Sequence, residues 1–168
     1  GIYFENKELT KKDKKSLKWA IENNIKIISQ SFVENKRDID HIRKYICEIN
    51  GDLKSIKLLS KIETNLGVDN FKEIIRYSDG IIIARGDLIP ECGLINSVDK
   101  EFDLLLKVKK YEKEKEVIIA THILDNMRKG IIPNINELES IYTFVNLGVT
   151  GFLLASETSI GNYPVKSV

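Results

Sequence analysis

The sequence predicts an α/β fold of about five βα units arranged around a parallel sheet, and two observations carry that prediction. Five short apolar runs alternate with helical patterns at a spacing of roughly 30 residues, the length of one βα unit. The runs are continuously apolar rather than alternating, as strands are when both faces of a parallel sheet are covered.

Thr10, with Asp13 three residues on, forms a capping-box pattern that opens a helix whose apolar face is Leu17, Ala20 and Ile21. The first strand is IKIISQSF (25–32). Ile39, Ile42, Ile46 and Ile49 then recur at helical spacing, which predicts an amphipathic helix over 37–49. SIKLLSKI (55–62) is the second strand, followed by a helix around 67–77 and the third strand GIIIAR (80–85). A long helix near 98–114 carries Val98, Phe102, Leu105 and Val108. The fourth strand, EVIIAT (116–121), leads to a short helix from Ile123 and then to one capped by Asn134, with Glu137 three residues later. TGFLLA (150–155) is the last strand, and NYPVKSV opens a further helix. Glycine and proline are few, no linker divides the chain and no internal repeat is visible, so residues 1–168 read as one domain.

A chain of 168 residues can bury a core of its own. Its net charge of +1 offers no excess to draw nucleic acid or an anionic membrane, so neither is an expected partner. No apolar run nears the ~20 residues of a membrane span, and GIYFENKELTKKDKK has no apolar signal core. Cys47 and Cys92 belong to no CxxC pattern, which favours free thiols in a reducing compartment. His41 and His122 are too few for a histidine-rich metal site.

In parallel α/β proteins the ligand lies beyond the carboxyl ends of the strands. The five runs end in Ser31-Phe32-Val33, Lys61-Ile62-Glu63, Arg85-Gly86-Asp87, Thr121-His122 and Ser156-Glu157-Thr158. Every strand therefore delivers polar groups at that end. Lys61 and Glu63 are two apart and share one face of their strand, Glu63 nearer the mouth. If the second and third strands are neighbours, ~4.8 Å apart, Glu63 and Asp87 can reach one cation. Two carboxylates with several open positions suit Mg²⁺ bound together with a phosphate-bearing substrate. Lys61 would then supply positive charge to a transferring phosphoryl group or a developing enolate. The competing reading is a salt bridge on an exposed edge strand, because unpaired charge in a buried strand is costly.

Taken together, SFVENKRDIDHIRKYI, KIETNLGVDNFKEII, SDGIIIARGDL, VIIATHILDNM and GFLLASETSIGNYPVKSV resemble pyruvate kinase, in that family's order and spacing. The resemblance implies a partial (β/α)₈ TIM barrel, its fourth to eighth strands, without the first three strands, the lid domain or the C-terminal domain. It implies phosphoryl transfer from phosphoenolpyruvate to ADP, giving pyruvate and ATP. By the same resemblance Lys61 stabilises the phosphoryl group in flight, and Glu63 and Asp87 bind Mg²⁺ or Mn²⁺. Backbone amides at Gly86 and Asp87 help hold the substrate carboxylate, and Thr121 takes part in protonating the enolate. His122 and Arg85 are relay members or neighbours of that group. K⁺ is a further expected ion, with ligands outside this segment. A tetrameric homo-oligomer in the cytoplasm is the family expectation, with a plastid as the alternative compartment.

The departures matter too. His122 stands where the family has glutamine, and Ala155-Ser156 replaces a serine-glycine pair, which on a strand would turn the Ser156 side chain to the other face. Ile89-Pro90-Glu91-Cys92-Gly93 replaces a Gly-Val-Glu-Ile-Pro run, so Pro90 removes an amide from the turn expected there. Ile132-Pro133-Asn134-Ile135-Asn136-Glu137 lacks an arginine associated with subunit contacts. These changes leave two alternatives: a non-catalytic structural or regulatory paralogue, and another Mg²⁺-dependent phosphoenolpyruvate or enolate barrel enzyme.

Overall fold

A computed structural model describes residues 8–112 and 114–168. Helix α1 (Lys11–Glu22) opens on the expected box: Thr10 Oγ1 accepts the Asp13 amide, and the Asp13 carboxylate accepts the Thr10 amide. Strand β1 (Ile27–Gln30), helix α2 (Lys36–Glu48) and strand β2 (Lys57–Ile62) follow. Ile39, Ile42 and Ile46 form the buried face of α2, as the periodicity predicts, while Ile49 is its C-cap.

The single helix expected around 67–77 is two, α3 (Asn65–Asp69) and α4 (Phe71–Tyr77). They part at Asn70, whose side-chain amide donates instead to the Glu34 carbonyl at 2.8 Å. After β3 (Gly80–Ala84) comes a helix that the sequence reading missed, α5 (Arg85–Cys92), and only then α6 (Leu94–Tyr111). A turn was the expectation around Pro90. Pro90 in fact stands inside α5 rather than in a turn, and Gly93, at φ 80°, makes the corner into α6 that a side chain would strain.

The chain continues through β4 (Glu116–Ala120), a 3₁₀ turn at Asp125–Arg128, α7 (Ile135–Asn146), β5 (Gly151–Leu153) and α8 (Ser156–Ser159). Asn134 and Glu137 make the predicted box at the start of α7. Strand β5 is half its expected length, so Ser156 lies on α8 and strand alternation does not decide where its side chain points. NYPVKSV forms one 3₁₀ turn, Pro164–Lys166.

All five strands are parallel and lie in sequence order, β1-β2-β3-β4-β5. A doubly wound sheet would reverse its order at a switch point; an order with no reversal winds in one direction, as a barrel does. Burial agrees. Leu58, Ile62, Ile81, Ile83, Val117 and Ile119 join the main core with helix residues such as Ile39, Phe71, Ile74 and Leu105. The alternate residues Leu59, Ile82 and Ala120 form a small separate cluster on the opposite, inner face. Strands β1 and β5 each pair on one side only, leaving an open arc, as five strands must.

Candidate active site at the carboxyl ends of the strands

Parallel register carries the strand ends to one side. Ile62 pairs with Ile83 and Ala84 with Ala120, so Glu63, Arg85 and Thr121 emerge at the same end of three adjacent strands. The neighbour relation between the second and third strands, on which a shared cation depends, holds. Strand β2 lies between β1 and β3, which rules out the edge-strand salt bridge.

Lys61 has the parity of Leu59 and therefore the inner face, with Glu63 one step further on. Lys61 Nζ lies 2.5 Å from Glu63 Oε1 and 3.4 Å from Ser31 Oγ. The Glu63 side chain is only 1% exposed, and its Oε2 accepts the Phe32 amide at 2.5 Å. Phe32 adopts φ 54° to deliver that amide. The Lys61 contact is an ion pair rather than an aligned hydrogen bond, so Oε1 remains a buried oxygen with no hydrogen-bond donor. The two charges face each other in this structure.

Asp87 is half-buried in the first turn of α5. The Gly86 amide in the same turn donates to Thr121 Oγ1 at 2.8 Å, and a Cβ on Gly86 would come within 3.1 Å of that oxygen. Only a residue without a side chain allows this approach freely. The Gly86 amide is thus engaged by Thr121, whereas the Asp87 amide, in a first helical turn, has no intrahelical acceptor.

Thr121 and His122 both lie in the left-handed region, at φ 65° and 53°. For a β-branched residue this is strained backbone that persists only where its surroundings hold it. Arg85 supplies the hold: its Nε and Nη2 donate to the Thr121 carbonyl at 3.0 and 2.7 Å, and Nη2 also donates to the His122 carbonyl. Thr121 Oγ1 donates to the Ala120 carbonyl at 2.6 Å. His122 Nδ1 stands 2.6 Å from Asp125 Oδ2, with the ring half exposed.

Two carboxylates complete the surroundings, and neither was given a role from sequence. Glu157, fully buried, accepts the Leu124 amide at 3.3 Å and the Ala155 amide at 3.1 Å, tying β5 to the loop after Thr121. Glu101, on α6 and 4% exposed, sits 3.8 Å from Arg85 Nε. Burial pushes the Glu101 carboxyl up from 4.5 to about 7, with Arg85 opposing the rise; burial also lowers Arg85, against the pull of Glu101, Asp125 and Glu157. A Glu on the otherwise apolar face marked by Leu105 and Val108 was the one available signal for Glu101.

The rise has a consequence for stability. Between pH 4.5 and about 7 the folded chain holds a proton that the unfolded chain has released. Glu101 therefore contributes stability that is fully present below pH 4.5 and lost as pH rises through about 7. Glu101→Gln removes the term. Unfolding free energies from denaturant titration should match wild type at pH 4.5 and exceed it at pH 8, by on the order of 3 kcal/mol. Equal pH dependence in the two proteins would refute a raised carboxyl.

Among the described residues no group of three or more His, Cys, Asp and Glu could hold a metal ion, and no helix is long and apolar enough to cross a membrane. Cys47 and Cys92 are free.

The whole chain, residues 1–168, matches the family model described as pyruvate kinase, barrel domain. Similar proteins include pyruvate kinase of Methanocaldococcus jannaschii, 36% identical over 93% of this chain and 34% of that protein. Pyruvate kinase of Encephalitozoon cuniculi is 33% identical over 100% of this chain and 37% of its own length. Pyruvate kinase 2 of Saccharomyces cerevisiae is 36% identical over 95% and 31% respectively. The chain thus spans about a third of the length of the curated relatives it matches. With its open arc of parallel strands and its polar strand ends, it belongs to the pyruvate kinase barrel-domain family.

Proposed function

We propose that the complete protein is a pyruvate kinase, which moves the phosphoryl group of phosphoenolpyruvate to ADP and releases pyruvate and ATP. The observation that carries this reading is the pairing of Lys61, on the inner face of an interior strand, with Glu63 just past that strand's end, on the side where Thr121 is clamped. The P–O bond to the enol oxygen breaks, a bond to the terminal oxygen of ADP forms, and the enolate takes up a proton at carbon. Lys61 offsets the charge on the phosphoryl oxygens during transfer. The Asp87 amide, with the Gly86 backbone beside it, contributes to holding the substrate carboxylate. Thr121 Oγ1, fixed by Gly86 and Ala120, stands beside the enolate carbon and takes part in its protonation. His122, oriented by Asp125, is a neighbour with access to the same proton path.

The residues fit a divalent cation. Glu63 Oε1 is buried with no hydrogen-bond donor, and Asp87 follows the adjacent strand. Glu63 and Asp87 would hold Mg²⁺ or Mn²⁺, which neutralises phosphoryl charge when bound. K⁺ dependence, a homo-oligomeric (tetrameric) assembly and a cytoplasmic or plastid location go with the family reading.

The test is a steady-state assay of the complete protein with phosphoenolpyruvate, ADP, Mg²⁺ and K⁺. Pyruvate and ATP should form in equal amounts; a purified, folded protein that forms neither overturns the reading and leaves the non-catalytic paralogue.

A further inference from the structure

Arg85 is caught between two kinds of partner. On one side its guanidinium donates to the carbonyls of Thr121 and His122, two consecutive non-glycine residues in the left-handed region. On the other side stands Glu101, on α6, with Oε1 3.8 Å from Arg85 Nε and no hydrogen-bond partner. The Phe144 ring lies 5.4 Å from Cζ and closes the flank. Glu101 is too far from the guanidinium for a hydrogen bond. It acts on Arg85 by charge through a dry interior, where a charge is weakly screened.

We propose that Glu101 is a positioning residue: through Arg85 it holds the Thr121–His122 turn in the conformation that presents Thr121 Oγ1 to the substrate. No hydrogen bond explains the group: its Oε1 is buried without a partner and meets Arg85 only at 3.8 Å. The guanidinium also feels Asp125, from the 3₁₀ turn, and Glu157, from α8, while His122 pairs with Asp125. Glu101 differs from these in approaching Arg85 from α6, behind the clamp.

The inference concerns Thr121 and so rests on the proposed phosphoryl-transfer reading, but one arm of its test needs no turnover. In the complete protein at pH 8, Glu101→Gln should speed amide hydrogen exchange of Gly86, whose amide is held by Thr121 Oγ1, and of the 120–124 segment by roughly tenfold, leaving 58–63 unchanged. A merely structural role predicts the opposite, since Glu101→Gln is expected to be the more stable protein at pH 8. In the kinetic arm kcat falls roughly tenfold while KM for both substrates stays within about twofold. The limb of the kcat–pH profile near neutrality should disappear with it. Adding Glu101→Gln to Arg85→Lys should cost nothing further, because the two act in series. Unchanged exchange at Gly86 and 120–124, or fully additive losses, overturn the proposal. If wild type shows no turnover, the phosphoryl-transfer reading fails and the exchange arm still decides this one. Should Glu101→Gln not fold, Glu101→Asp, which keeps the charge but withdraws it by one methylene, is held to the same exchange criterion.

Discussion

Lys61→Met should lower kcat of the complete protein by roughly a thousandfold or more, while KM for phosphoenolpyruvate changes little and Mg²⁺ is bound no more weakly than in wild type. Methionine keeps an unbranched apolar stem of similar length, so packing on the inner face survives and the ammonium is lost. In the proposed reaction that charge would be needed most when the phosphoryl group is in flight, so the loss should fall on kcat rather than on binding. Near-normal kcat would sink the role. The structure adds a second expectation. Lys61 is the ion-pair partner of a Glu63 side chain only 1% exposed, so its removal leaves a buried carboxylate alone. Breaking such a pair costs about 3–5 kcal/mol. The variant should therefore melt well below wild type without Mg²⁺ and recover much of the difference when the ion is added. A melting temperature indifferent to Mg²⁺ would argue that Glu63 binds no cation.

Glu63→Gln should raise the Mg²⁺ concentration for half-maximal activity by roughly 10- to 100-fold. The amide oxygen can still accept the Phe32 amide, so the loop after β1 keeps its tie to β2. The negative charge that balances Lys61, and that would balance the proposed ion, is gone. A loss confined to kcat at saturating Mg²⁺, with the metal titration unmoved, would mean that Glu63 serves Lys61 rather than a cation. Measuring both variants separates the two duties that the 2.5 Å contact joins.

The helix starts at Thr10, Asn35 and Asn134 all carry a capping box, two of them read from sequence. Such signals are legible because cap and partner are three residues apart. The face shared by Lys61 and Glu63 was legible for a similar reason, since strand periodicity is a local property. Helix α5 was not, because Gly86, Pro90 and Gly93 resemble a turn when taken alone. The break at Asn70 was missed too: it depends on the Glu34 carbonyl, which another βα unit brings near.

Short-range periodicity and local chemistry set the strand–helix alternation, the polar strand ends and the spacing that puts opposite charges on one side of β2. Packing between distant elements did the rest. It placed β2 inside the sheet, between β1 and β3, which turned an edge salt bridge into a buried ion pair. It brought Glu101 from α6 behind Arg85, and bent Thr121 and His122 into strained backbone that Arg85 holds. Those features arise from packing between elements distant along the chain, and no pattern within a few residues of Thr121 encodes them.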